Sequence, residues 1–249
     1  MTGRELDGYR AVVTGSARNI GREIALELAR AGASVVVNAR SAAADAEAVA
    51  AEVRAAGGQA VAIVADVSTP DGAAHVVDAA ARDFGGLDLL VNNAAVRREM
   101  DFADLDYAEW RAVLGVTLDG AYLVSHAALP HLIAAAGRGA IVNIGGLSAH
   151  TGAARRAHVL AAKAGLAGLT RGLAHDLAPH GITVNCVAPG LIDTVRAGAA
   201  PGHHSHHRTL AGRLGRPADI AAMVRFLCGP DARYVTGQTV HVNGGAFLA

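Results

Sequence analysis

Ala11-Val12-Val13-Thr14-Gly15-Ser16-Ala17-Arg18-Asn19-Ile20-Gly21 is a short apolar run that breaks at a turn of small residues and leads straight into a helix. The run suits a buried strand. Beyond the turn, Ile24, Leu28 and Ala31 form a stripe at helical spacing. Small residues at a strand-to-helix turn let the backbone approach a pyrophosphate, and the helix N-terminus supplies N–H donors and positive dipole. An ordinary strand–helix connection is the plain alternative.

The same alternation continues along the chain. Apolar runs predict strands at Ala11–Thr14, Ser34–Asn38, Ala60–Ala65, Leu87–Val91, Ala140–Ile144, Thr183–Val187 and Thr239–Val242, with Ala/Leu-rich helical segments between them. Strands alternating with helices predict an α/β fold: a doubly wound parallel sheet of about seven strands, Rossmann type, with helices on both faces. The runs do not alternate with polar residues, as expected of strands buried on both sides. No linker, repeat or low-complexity tail divides residues 1–249, so a single domain is expected. The least regular stretch, about 195–214, contains His203-His204-Ser205-His206-His207 and reads as an insertion over the ligand-binding edge of the sheet. A mobile polar loop, substrate contacts or a proton donor, and a metal site are the readings open for this cluster; no metal is assigned.

Formal net charge is zero, with 22 Lys plus Arg against 22 Asp plus Glu, so nothing points to nucleic acid or another polyanion. Cys186 and Cys228 stand apart in apolar surroundings and suit buried thiols in a reducing compartment. The N-terminus has no apolar signal core, and no long uncharged stretch suggests a membrane span. A soluble cytoplasmic protein is expected.

Of the 22 basic side chains, 21 are arginine and one, Lys163, is lysine. A surviving ammonium, compact and with a tunable pKa, suggests work a planar guanidinium cannot do. A chance leftover on a solvated helix face is the plain alternative.

Over nearly its whole length the chain resembles the short-chain dehydrogenase/reductase family. The marks are Thr14, Gly15 and Gly21 in the glycine turn, with Asn19 where the family has its middle glycine. Asp66-Val67 follows the third strand, then come Asn92-Asn93-Ala94-Ala95 and Pro189-Gly190-Leu191-Ile192-Asp193-Thr194. Asn is the residue other than Gly that best tolerates positive φ, so the turn can keep its shape. The resemblance implies a dinucleotide held by Gly15, Arg18, Asn19, Ile20, Gly21, Arg40, Ser41, Asp66, Val67, Asn93, Ala94, Lys163, Pro189, Gly190, Ile192 and Thr194. It also implies a homotetramer or homodimer and a small-molecule substrate. An acid at the end of strand two would favour a ribose 2′-hydroxyl. The chain instead has Asn38-Ala39-Arg40-Ser41 there, with Arg18 in the turn; two guanidiniums and a hydroxyl suit a phosphate dianion, hence NADP(H).

The family pattern breaks at the chemical end. The resemblance implies an Asn, Ser, Tyr and Lys tetrad, with Tyr four residues before Lys. Val159 stands at the Tyr position, Gly146 at the Ser position and Thr117 at the Asn position; Lys163 alone remains. No other tyrosine is followed by lysine four residues later. Candidates for the missing chemistry are His158, beside the vacant Tyr position, and His150 and Ser148, in the segment after strand five. Thr117 and Lys163 complete the catalytic set. His158 points roughly 140° away from Lys163 around a helix, which counts against it. Arg156, two turns before Lys163, could hold a substrate carboxylate. The leading expectation is an NADP(H)-dependent oxidoreductase acting on a small carbonyl or an imine or iminium, whose nitrogen needs no proton at the transition state. A non-catalytic NADP(H)-binding protein, and a lyase or hydrolase reusing the cleft, are the alternatives.

Overall fold

The computed structural model describes residues 4–194 and 209–248. Most of the insertion, including His203–His207, lies outside the described residues. The strands are β1 (Arg10–Val13), β2 (Ser34–Ala39), β3 (Ala60–Val64), β4 (Leu89–Asn92), β5 (Ala140–Ile144), β6 (Thr183–Pro189) and β7 (Thr239–Val242). They form one sheet in the order β3-β2-β1-β4-β5-β6-β7, with every neighbouring pair parallel. The expected doubly wound Rossmann-type sheet is therefore present.

The helices are α1 (Asn19–Arg30), α2 (Ala43–Ala55), α3 (Pro70–Phe84), α4 (Tyr107–Leu114), α5 (Gly120–Ala134), α6 (Ser148–Thr151), α7 (Ala157–Leu177) and α8 (Pro217–Cys228). Why the strands are apolar throughout is visible in β1. Ala11 and Val13 join the core under α1, α2 and α8, while Val12 joins the opposite core under α3, α5 and the end of α7. Successive side chains of a strand leave on opposite faces, and here both faces are covered.

The chain winds outward from β1 to β3, then crosses back to β4 on the other side of β1. At that reversal the strand ends leave a crevice, the place where ligands sit in open α/β sheets. The opposite edge is clamped. Asp88, fully buried, accepts from Arg10 Nε (2.7 Å), Arg10 Nη2 (2.9 Å) and the Arg10 backbone N–H (2.9 Å), and pairs with Arg138 at 2.9 Å. This joins the starts of β1, β4 and β5. Between α4 and α5 the helix widens into one π turn, Gly115–Asp119.

Candidate dinucleotide cleft and chemical site

The glycine turn after β1 is shaped by hard contacts. Gly15 has φ 60°, and a Cβ there would lie 2.9 Å from Ala94 Cα. A Cβ on Gly21 would come within 2.4 Å of Gly15 O. Asn19 has φ 51°, in the left-handed region where the sequence placed an Asn for a Gly. Side chains tie the neighbouring strand ends to this turn. Thr14 Oγ1 accepts the N–H groups of Asn93 and Ala94, both at 3.0 Å. Asn93 Nδ2 donates back to Thr14 O and Gly15 O. Ser16 Oγ accepts from Asn38 N–H at 3.0 Å, and Asn38 Nδ2 reaches Ala65 O at 3.1 Å. The ends of β1, β2, β3 and β4 thus form one hydrogen-bonded rim.

Above this rim lies a cleft of about 750 Å³. Its lining brings together every residue named above for the dinucleotide: Gly15, Arg18, Asn19, Ile20, Gly21, Arg40, Ser41, Asp66, Val67, Asn93, Ala94, Lys163, Pro189, Gly190, Ile192 and Thr194. Arg18, the N-cap residue of α1, makes no side-chain cap among the described residues, and the helix N-terminus opens on the cleft. The Asp66 carboxyl is held below its ordinary pKa, mainly by the Ser68 hydroxyl at 2.6 Å and further by the Ser68 N–H and the charge of Arg40.

Lys163 lines the other end, 7% exposed. Its Nζ donates to Ile144 O at 2.5 Å. Burial pushes its pKa down to about 7, and the positive charges of Arg97 and Arg156 push the same way; Cys186 opposes them. Val159, one turn earlier on α7, lines the same wall, as do Gly146 and Ser148. A Cβ on Gly146 would meet nothing within 4 Å.

Three candidates are not among the residues lining this cleft. His158 is fully buried between α7 and α4, with Nε2 4.0 Å from Glu109 Oε1. Burial lowers its pKa; Glu109 works against that shift. His150 is exposed, edge-on to His241 (ring centroids 4.6 Å) and stacked with Phe247. Thr117 is 2% exposed within the π turn, and its hydroxyl has no hydrogen-bond partner among the described residues.

Sequence reasoning missed a buried polar chain behind Lys163. Asn92 Nδ2 donates to Asn143 Oδ1 (2.9 Å) and Ser125 Oγ (3.1 Å), and Asn143 Nδ2 donates to Thr170 Oγ1 (2.9 Å). It links β4, β5, α5 and α7 and so sets the seat of the helix that carries Lys163. Its visible signal was Asn143 inside the run Ala140–Ile144 and Asn92 directly after the run Leu87–Val91. Arg97 and Glu99 also line the cleft and were not anticipated.

A family model described as enoyl-(acyl carrier protein) reductase matches residues 15–246. The chain is 38% identical to the 3-oxoacyl-(acyl-carrier-protein) reductase FabG of Staphylococcus aureus strain Mu50, over 96% of this chain and 98% of that protein. The chain belongs to the short-chain dehydrogenase/reductase family. The FabG of Vibrio cholerae is 37% identical over 98% of this chain and 99% of its own length. Among solved members, a short chain dehydrogenase from Burkholderia cenocepacia J2315, in complex with NADP, is 40% identical with a TM-score of 0.91, covering 97% of this chain and 99% of that one. A dehydrogenase/reductase from Sinorhizobium meliloti 1021 superposes with a TM-score of 0.93 at 38% identity, over 99% and 98% of the two chains.

Proposed function

We propose that this short-chain dehydrogenase/reductase is an NADP(H)-dependent oxidoreductase acting on a small carbonyl, imine or iminium substrate with a proton donor other than tyrosine. The observation that carries the reading is the single cleft that gathers the glycine turn, the Arg18, Arg40 and Ser41 cluster, Asp66 and Lys163. The fit to a dinucleotide rests on the turn: Gly15 and Gly21 keep backbone where any Cβ would collide, so the loop stays thin enough for a pyrophosphate. Arg18 and Arg40, both exposed at the rim, would clasp a 2′-phosphate with Ser41. Asp66 and Val67 would hold the adenine end, and Asn93, Ala94, Pro189, Gly190, Ile192 and Thr194 the nicotinamide end. When bound, NADPH supplies the hydride. Lys163 would hold the ribose beside it, its Nζ already anchored on Ile144 O.

Val159 can neither donate nor accept a proton, and Gly146 offers no hydroxyl to a substrate oxygen. Ser148, half-buried on the same wall as Gly146 and Val159, offers a hydroxyl in their place. His150, His158 and Thr117 stand outside the lining, so a direct role for any of them requires movement. The same positions favour a second reading, a non-catalytic NADP(H)-binding protein. We further infer a cytoplasmic homotetramer or homodimer joined through α5, α7 and β7.

Two measurements test these readings. Calorimetry should give micromolar binding of NADPH and much weaker binding of NADH. Absorbance of NADPH should then fall in the presence of some carbonyl or imine from a broad panel. Binding without turnover across the panel selects the second reading, and no binding of either dinucleotide overturns both.

A further inference from the structure

The charged groups that line the cleft fall into two sets. Arg18, Arg40 and Asp66 lie at the ends of β1, β2 and β3, where the adenosine side of a dinucleotide would rest. Among the described residues, Arg97, Arg156 and Lys163 line the other end together with Glu99. All three line one cleft, and the charges of Arg97 and Arg156 both bear on Lys163.

Arg156 is 8% exposed and is the N-cap residue of α7. Val159 and Lys163 follow three and seven residues later, so the guanidinium, the vacant Tyr position and the ammonium share one helix face. The first turn of α7 adds its positive dipole at the same point. Val96, Val116 and Val159 give this part of the lining an apolar side. A guanidinium is a fixed fork that binds oxyanions bidentately and stays charged at any accessible pH. It cannot give up a proton, but it can stabilise negative charge.

We propose that this end of the cleft takes a substrate bearing an oxyanion group, a carboxylate or a phosphate, next to the carbon that exchanges hydride, with Arg156 as its principal clasp and Arg97 at the mouth. The inference rests on the oxidoreductase reading above and names its substrate class. For a 2-oxo acid the balance is simple. The carbonyl carbon receives hydride, the C=O π pair moves to oxygen, and a proton from solvent water completes the hydroxy acid while NADPH becomes NADP+. Positive charge beside the developing alkoxide lowers the need for a proton at the transition state, which fits Val159 in place of Tyr.

The test is calorimetric titration of oxalate, inorganic phosphate and neutral oxamide onto the protein, with and without saturating NADP+. At least one anion should bind about tenfold or more tighter than oxamide. Arg156→Leu should weaken that anion by about 10- to 100-fold, the usual worth of a charged hydrogen-bond pair. Arg156→Lys should recover part of it, and NADPH affinity should change less than about threefold. Arg97→Leu, at an exposed position, provides a second variant if Arg156→Leu fails to fold, and should weaken the same anion. Oxalate preference selects the carboxylate source and phosphate preference the phosphate source. Equal weakness of all three probes, or full retention of the anion in both leucine variants, overturns the proposal. Loss of NADPH binding alongside Arg156-dependent oxalate binding would instead sink the dinucleotide reading and leave the anion site standing. In turnover, a 2-oxo acid should outperform its methyl ester, and Arg156→Leu should erase that difference mainly through KM.

Discussion

Lys163 combines burial with a charge. Its folded pKa, about 7, lies below the ordinary 10.5. The folded protein therefore binds fewer protons than the unfolded chain between those values, and stability rises with pH across that window. The cost of the buried ammonium is fully present below about pH 7. Lys163→Met should accordingly stabilise the cofactor-free protein most at pH 6, with the gain shrinking towards pH 10 in thermal melts. Binding of a polyanionic dinucleotide favours the charged form, so NADPH binding near pH 8 should take up a proton. Calorimetry in buffers of different ionisation heat reads that proton directly. His158 is a different kind of buried group, neutral because burial lowers its pKa from 6.5. The unfolded chain gains protons first as pH falls below about 6.5, so stability drops there. His158→Leu should raise Tm more at pH 5.5 than at pH 8; a loss of turnover beyond about tenfold would return His158 to the list of proton donors. Restoring the family pattern with Val159→Tyr and Gly146→Ser should raise reduction of simple ketones by about 10²- to 10⁴-fold, the usual contribution of a positioned acid. Gly146 has room for the new side chain.

At the scale of elements, strand and helix ends carry the information that matters. Thr69 caps α3 by accepting Gly72 N–H at 3.1 Å, Pro70 opens the helix, and Gly85 ends it at φ 79°. In α8 the bond runs the other way: Asp219, in the first turn, accepts the N–H of the N-cap residue Arg216 at 2.6 Å. Arg213, then that N–H, hold its pKa down to about 2. Its contribution is present above about pH 4 and fades as pH falls towards 2. The clamp under the sheet is more costly to break. Asp88→Ala would remove the partner of Arg10 and Arg138 and leave their cations beside a buried gap. We expect a loss of about 3 kcal/mol in urea unfolding, with NADPH affinity unchanged because the clamp lies at the opposite strand ends. The strands and the main helices were legible in the sequence, because short unbroken apolar runs such as Val35–Val37 mark strands covered on both faces and the stripe at Ile24 and Leu28 follows the helical period of 3.6. The π turn at Gly115–Asp119 was not, since it interrupts a helical pattern without changing composition.

The described residues form a sheet with a core on each face, a smaller apolar cluster of Val113, Val159 and Ala162 between α4 and α7, and a cleft at the strand reversal. The helical run Tyr107–Ala134 is, by length and composition, long and apolar enough to cross a membrane, where the sequence had suggested no such span. It contains Asp119 and includes α5, which packs on α3 and β4 in the manner of a core helix. Tyr122 (51% exposed) and Ile133 (39%) remain on the outside of α5. If the proposed dimer or tetramer forms through these side chains, light scattering should return two or four times the 25.1 kDa chain. Tyr122→Glu should shift that mass downward, whereas an unchanged monomer mass in both proteins would remove the inferred assembly.

The sequence alone determined the strand and helix order, the glycine turn and the types of residue along the dinucleotide path. Each depends on neighbours within a few positions: Asn19 at positive φ is readable beside Gly15 and Gly21. Only the tertiary structure decided where the remaining titratable groups stand. His158 is one residue from Val159, yet it is turned into the core beside Glu109, while His150 is drawn to His241 and Phe247. Arg97 and Arg156, 59 positions apart, line the same cleft as Lys163 and both act on its charge. Such meetings depend on helix rotation and loop path summed over many residues. That sum sets both burial and distance, and those two quantities govern charge in a protein interior.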